Sequence, residues 1–438
     1  MKLLAFLLCF AAAVAVPAAE PVTLEDCLAL ALQQNPTIRN AQHEIQRRQG
    51  LVLQARAAAL PQLTATGQYK RVDDNAIEIY PFQTSLPANE KQPWAATVEV
   101  SQLLYAGGRV RAAVRAAKLA EQIAVLDFQR TVADVLLAVR QTFYRVLLTR
   151  AQITVREQAV QLLQQQLHDV QLRFAAGTVP QFNVLRAEVE LANARPALIR
   201  AQNDHRLAKE ALARLLALDD PAARPAFTPL TVAGQLEFAR RDDSLPAALT
   251  QALARRPELQ QAAKRVQQKK EAVTVATAGA HPQFSLFADY GIRNTTYGSD
   301  LDDTVHGWAV GVKATWNLFD GLETRGKVVQ AKAELQQADC DAADTRRRIE
   351  FEVRQAYSDY LQACELIAAQ KKVVAQAEES LRLATARFNA GSGTQLDVLS
   401  AQTALTEARS NEIQALYDYN VALAALDRAT GATVQPAP

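Results

Sequence analysis

The chain has 438 residues, with 48 Lys and Arg against 46 Asp and Glu, a net charge of +2, and 6% aromatic residues. So small a charge excludes the strong field that would recruit nucleic acid or an acidic substrate. The length admits two or three globular domains or one large repetitive one, and the weight of Ala, Gln, Leu, Arg and Val favours long helices over mixed cores.

At the N-terminus, "MKLLAFLLCFAAAVAVPAAEP" places one lysine before an apolar run at 3–16, with small residues at Val16 and Ala18. This predicts a secretory signal over 1–19, cut after Ala18 or Ala19; as an anchor, the run is too short to span a bilayer. No later window is apolar for eighteen residues, so no transmembrane helix is expected in the mature chain. Cys27, Cys340 and Cys364 remain after the signal is removed. Their number is odd, none has metal-ligand spacing, and Cys340 and Cys364 would lie about 36 Å apart on one straight helix. All three read as small packing residues.

The next elements occur twice. A helical pattern over 24–59 stops at Leu60-Pro61. "LTATGQYKR" and "WAATVEVSQ" then alternate with period two, predicting a β-hairpin over 62–104. A very long helix begins near Arg109, where Val125, Val132, Val139, Val146, Ile153, Val160, Leu167 and Phe174 recur every seven residues, the period of coiled-coil packing. Gly177 ends it and a second helix returns, giving a helical hairpin over 109–218. A Pro-, Ala- and charge-rich linker follows at 219–244. The second copy runs over 245–431: a helix at 245–278 stopped before Pro282, a β-hairpin over 283–318, and a helical hairpin over 324–430. That hairpin has a seven-residue stripe of Val353, Tyr360, Ile367, Val374, Leu381 and Phe388, and its tip is near Gly391. In "FSLFADYGIR", Phe284, Leu286, Ala288, Tyr290 and Ile292 take one face. Residues 432–438 read as a frayed tail.

The duplication is explicit at the two tips. "RFAAGTVPQFNVLRAE" at 173–188 and "RFNAGSGTQLDVLSAQ" at 387–402 agree at eight of sixteen positions without a gap. The similarity continues on both sides, and the first copy carries seven extra residues between Tyr69 and Tyr105, as a loop tolerates. The first structural repeat is therefore 20–218 and the second 245–431.

Four strands per chain cannot close in lipid, where open edges are not tolerated and barrels begin at eight strands. Eight strands leave a lumen filled mostly by side chains, whereas three chains supply twelve. The expected fold class is mostly α with a small β part: long coiled-coil hairpins forming a trimeric α-barrel, joined to a 12-stranded membrane β-barrel.

The strand-to-helix phrases "LLYAGGRV" and "NLFDGLET", together with the two tips in duplicated order, resemble the TolC-like outer-membrane efflux proteins across essentially the whole mature length. The resemblance implies a homotrimer in the lipid of the outer membrane with a large periplasmic part. It would act as the exit duct of a tripartite efflux pump or type I secretion system. A periplasmic adaptor and an inner-membrane transporter would open it at the helical tips. The narrowest place would then be the tips, with Asp397, Ser400, Asn183 and Arg186 as constriction residues. Asp397 either presents a ring of three carboxylates that favours cations or caps its own helix, two roles that are compatible. Relatives often carry an acid where Ser400 stands, which weakens the expectation of a strong acidic gate. Gly177, Thr178, Val179 and Pro180, with Gly391, Ser392, Gly393 and Thr394, are expected to contact the adaptor, or else serve only as turn formers.

Other motifs argue against chemistry. "GLETRGKV" at 321–328 nearly fits a phosphate-binding loop, but Val328 replaces the required hydroxyl and the sister phrase keeps neither the second glycine nor the lysine. The pairs Asp73-Asp74 and Asp302-Asp303 read as solvated loop charge rather than calcium ligands. The five histidines show no ligand spacing, and no catalytic grouping assembles. The reading is therefore no enzyme, no cofactor, no metal site and no nucleic-acid partner. The rival is a periplasmic structural or adaptor coiled coil without a pore, which leaves the two amphipathic hairpins unexplained.

Overall fold

The computed structural model of the chain describes residues 21–73, 91–218, 230–295 and 300–432. The predicted signal, residues 219–229 of the linker, Asp74 and residues 433–438 of the tail lie outside the described residues. The chain divides into two units, each drawing on both copies. One comprises the described residues of Met1–Arg39, Val132–Arg255 and Phe351–Pro438, the other Asn40–Thr131 and Arg256–Glu350.

The second unit holds the strands β1 (Gln62–Tyr69), β2 (Trp94–Ala106), β3 (Gln283–Asn294) and β4 (Thr304–Thr315) in one sheet of order β1-β2-β3-β4. The hairpins of the two copies thus join antiparallel through β2 and β3, with Val98 opposite Tyr290 and Glu99 opposite Asp289. Strand alternation places Leu63, Val98, Val100, Leu286, Tyr290, Trp308 and Val312 on one face, and Thr64, Thr66, Glu99, Asp289 and Lys313 on the other. The apolar face is bare: Trp308 is 76% and Leu63 71% exposed. The outer edges of β1 and β4 pair with no other strand among the described residues. At the end of β2, Gly107 has φ +59°, and a Cβ there would lie 2.7 Å from the His281 Cβ, so only glycine fits this approach.

Helix packing in this unit is polar at its edges. Arg115 of α3 (Arg109–Ala175) pairs with Glu271 of α6 (Pro257–Thr277) at 2.8 Å, and Lys269 pairs with Glu334 of α7 (Glu323–Asn389) at 2.7 Å. Such half-exposed pairs contribute at most about 1 kcal/mol each.

The predicted single helices at 24–59 and 245–278 are each two. α1 (Leu24–Gln34) and α2 (Pro36–Ala57) divide at Asn35, and α5 (Leu245–Arg255) and α6 divide at Arg256. The cause is Pro36 and Pro257, which push the preceding residue out of the helical region: ψ is 124° at Asn35 and 120° at Arg256. Each proline then opens the next helix, where its missing N–H costs nothing.

The first unit contains α1, α5, the 132–175 part of α3, α4 (Gln181–Leu215), the 351–389 part of α7, and α8 (Gln395–Thr430). Val139, Val146 and Val160 are buried, as are Val353, Tyr360 and Ile367. Toward the tip the stripe opens: Val374 and Leu381 are half-buried, and Phe174 is 45% exposed. Residues 230–244 lie along this unit, tied by side-chain bonds to their backbone. The Tyr360 hydroxyl accepts from Arg241 N and donates to Arg241 O, both at 2.8 Å, and Tyr419 donates to Ala239 O. Tyr357 donates to Asp243 O at 3.0 Å, and Arg150 to Val232 O at 2.8 Å. Burial pushes the Tyr360 hydroxyl up to about 12, so it remains a donor at any working pH.

Cys27 and Cys364 are buried, but Cys340 is exposed. The packing reading fails for Cys340 because it stands two residues past buried Ala338, on the opposite side of the helix. Among the described residues, no helix is long and apolar enough to cross a membrane.

Candidate functional site

Both tips close by the same hydrogen bonds. In the first, Gly177 N donates to Phe174 O at 2.9 Å and Thr178 N to Arg173 O at 2.9 Å; in the second, Gly391 N donates to Phe388 O at 3.1 Å and Ser392 N to Arg387 O at 3.0 Å. This is the Schellman arrangement, and it requires the left-handed conformation that Gly177 (φ +72°) and Gly391 (φ +75°) supply. Gly393 serves a different purpose. A Cβ there would meet Arg387 Cβ at 3.0 Å and Phe388 N at 3.1 Å, so the chain passes directly over the end of α7.

The returning helices start differently. α4 follows Pro180, which offers no side-chain cap. α8 begins with a reciprocal capping box: Asp397 accepts from Thr394 N and Oγ1 at 2.9 Å each, and Thr394 Oγ1 accepts from Asp397 N at 3.2 Å. The Thr394 backbone N–H and then its hydroxyl hold the Asp397 carboxyl below its ordinary range, with a smaller contribution from the Arg387 charge. Asp397 is therefore a cap in the folded chain.

The two tips touch. The Arg173 guanidinium lies over the Phe388 ring at 4.7 Å and donates to Asn389 Oδ1 at 2.8 Å. Gln395 Nε2 donates to Asn183 O at 3.2 Å. Asn183 is thereby brought beside the start of α8. Arg186, half-buried on α4, makes no hydrogen bond or ion pair with Asp397 among the described residues. Asp397 and exposed Ser400 line an open groove of about 870 Å³ between α7 and α8, with Arg387, Glu379 and Leu383 on its other wall. Gly177, Thr178, Pro180, Gly391, Ser392 and Thr394 are exposed, while Val179 and Gly393 are half-buried.

Sequence reasoning missed Arg173, Arg387 and Gln395. Both arginines stand in the repeated "RF", yet one reaches across to the other tip while its sister stays beside Asp397. Nothing local distinguishes them. Among the described residues no group of three His, Cys, Asp or Glu side chains converges to hold a metal.

A profile described as "Outer membrane efflux protein" matches residues 27–218 and 248–432, one stretch on each copy. The chain is 24% identical to the cobalt-zinc-cadmium resistance protein CzcC of Cupriavidus metallidurans over 416 residues, 94% of this chain and 91% of that one. It is also 24% identical to the alkaline protease secretion protein AprF of Pseudomonas aeruginosa over 409 residues, 91% of this chain and 82% of that one. Its fold is similar to the Campylobacter jejuni CmeC outer membrane channel, with a TM-score of 0.80 at 18% identity over 93% of this chain and 85% of that one. The outer-membrane channel OprN superposes with a TM-score of 0.79 at 20% identity, over 94% and 91%. With both copies matched almost end to end and the whole fold shared, this chain belongs to the outer membrane efflux protein family and is a protein of the outer membrane.

Proposed function

We propose that three copies of the chain close into one channel that serves as the exit duct of a tripartite efflux pump or type I secretion system. The observation that carries this reading is the four-stranded sheet, apolar on one face and open at both edges. Such a sheet leaves backbone groups unpaired in lipid, and closing it with two further copies pairs every edge in a twelve-stranded barrel. A second support lies on α4, where Phe182 (66% exposed), Leu185, Val189, Ile199 and Leu207 leave an apolar stripe uncovered within the chain. A neighbouring copy covers it in the trimer.

The tips are the gate in this reading. Asp397, Ser400, Asn183 and Arg186 form the constriction. Residues 177–180 and 391–394 receive the helical hairpin of a periplasmic adaptor, which acts with an inner-membrane transporter. The exposed small residues and the adjacent groove admit a helix closely. CzcC and AprF, named for metal resistance and protease secretion, stand at equal identity to this chain. Cargo is accordingly set by the transporter rather than by the duct.

The test is the native mass of the detergent-extracted protein, corrected for bound detergent, followed by conductance in a planar bilayer. A mass of three chains with discrete conductance steps is expected, and Asp397→Ala should raise the open fraction at rest. A folded monomer or dimer without conductance would replace the channel by a pore-free periplasmic coiled coil.

A further inference from the structure

Where strand passes to helix, both copies write the same order of chemistry. Leu104 and Tyr105 precede Gly107 and Arg111 in the first; Leu318 and Phe319 precede Gly321 and Arg325 at the corresponding places of the second. The apolar pairs are bare: Leu318 and Phe319 are 80% and 83% exposed, and Leu104 and Tyr105 about half. The Tyr105 ring lies 6.2 Å from that of Phe284, on the apolar face of the sheet. Exposed Trp316 extends this face, its indole N–H held by Ala280 O at 3.1 Å. An apolar collar thus rims the sheet where the helices begin.

Cations follow at once. Arg109 opens α3, Arg111 and Arg325 stand in the first turns of α3 and α7, and Arg56 stands in the last turn of α2. All four are exposed, and none of their guanidinium groups makes a hydrogen bond or ion pair among the described residues. The acids at this level are already engaged. Asp320 accepts from Thr324 N at 2.9 Å, and Glu323 pairs with Lys327. At the opposite end of β3 and β4 the sign reverses, with Asp300, Asp302 and Asp303 exposed.

A bilayer of about 40–45 Å around a hydrocarbon core of about 30 Å leaves a polar layer of about 5–7 Å on each side. At about 1.5 Å per residue, the four arginines lie within that depth of the helix ends, and their long stems let the charge reach further. Guanidinium matches phosphate in geometry as well as charge. Free phosphate would leave the apolar collar wet, and a zwitterionic lipid brings its own ammonium and leaves the positive charge unanswered. A lipid with acyl chains and a net negative headgroup answers both features.

We propose that this collar binds anionic phospholipid in the leaflet nearer the helices. The acyl chains lie on Leu104, Tyr105, Leu318 and Phe319, and the phosphate beside Arg109, Arg111 and Arg325. The proposal rests on the reading that the apolar face of the sheet meets lipid.

The test uses Trp316 as its reporter. Trp94→Phe with Trp308→Phe leaves it the sole tryptophan of the full-length chain. The protein is reconstituted in phosphatidylcholine vesicles that carry either brominated phosphatidylcholine or brominated phosphatidylglycerol as the minor lipid, and quenching is compared. Both should quench, with phosphatidylglycerol acting as if severalfold enriched at the collar. Adding Arg109→Gln, Arg111→Gln and Arg325→Gln should abolish that advantage. Quenching by brominated phosphatidylcholine should stay unchanged, which shows that the variant is folded and inserted. Equal quenching by the two lipids, an advantage that survives the three substitutions, or one that millimolar inorganic phosphate removes would overturn the proposal and leave the barrel standing. Quenching by neither lipid would place Trp316 outside the bilayer and overturn the barrel reading as well.

Discussion

Positions 217 and 431 close the two returning helices with the same pair of bonds, one with alanine and the other with glycine. Ala217 N donates to Arg214 O at 3.1 Å and Leu218 N to Ala213 O at 2.8 Å, mirroring Gly431 N to Arg428 O at 3.1 Å and Ala432 N to Asp427 O at 2.9 Å. Ala217 therefore sits at φ +54°, a conformation that costs an L-residue roughly 1–2 kcal/mol. Leu322 (φ +72°) stands in the same relation to Gly108 (φ +83°). Replacing each by its sister's glycine, Ala217→Gly and Leu322→Gly, should raise the thermal midpoint. The net gain is up to about 1 kcal/mol per site, since glycine's extra freedom in the unfolded chain offsets part of the relief. A midpoint that falls in both variants would show that the strain is not felt. The Asp397 carboxyl gives a pH prediction. Its pKa is depressed in the folded chain by donors from Thr394, so the cap is fully present above the usual aspartate range and is lost only as pH falls through the depressed value. The protection factor of the Thr394 amide, which donates to this carboxylate, should hold down to mildly acidic pH and fall below it. In Asp397→Asn the acid-induced loss of protection should be absent.

At the scale of elements, the tyrosines that hold residues 230–244 bond the backbone there through their hydroxyls, and Tyr419 also meets the Phe238 ring edge-on at 4.8 Å. Tyr360→Phe leaves both Arg241 N and Arg241 O without their partner, at a cost of about 1–3 kcal/mol. Limited proteolysis should then cut within 230–244 well before the helices, while the native protein resists. The second tip is also sensitive. Gly393→Ala drives a methyl into the backbone at Phe388, and overpacking of this kind costs about 1–3 kcal/mol. The first tip carries Val179 at the corresponding place, so the close crossing belongs to one copy alone. Duplication preserved the turn and not the approach.

At the scale of the whole molecule, the apolar stripe on α4 should report assembly. Ile199 and Leu207 are 64% and 58% exposed in the single chain, so charges placed there do not disturb its core. The double variant Ile199→Asp, Leu207→Asp should lower the native mass from three chains to one while leaving helicity unchanged. An intact trimer would mean that this stripe faces something other than a second copy.

The sequence by itself determined whatever repeats at short range. Period-two alternation placed β1 to β4, the seven-residue stripe placed α3 and α7, and a glycine between two helical patterns marked each tip. These signals persist because a strand face or a helix stripe is written in neighbouring residues. The breaks at Asn35 and Arg256 were equally local, each sitting before a proline, but a strong helical pattern on both sides masked them. Tertiary structure alone decided the rest. That β2 pairs with β3, that Arg173 covers Phe388, and that Gln395 reaches Asn183 are contacts between residues roughly two hundred positions apart. The side-chain oxygen of Gln402, buried without a hydrogen-bond donor, is invisible in a sequence for the same reason: whether a polar atom has a partner depends on what folding brings near it, and no local pattern records that.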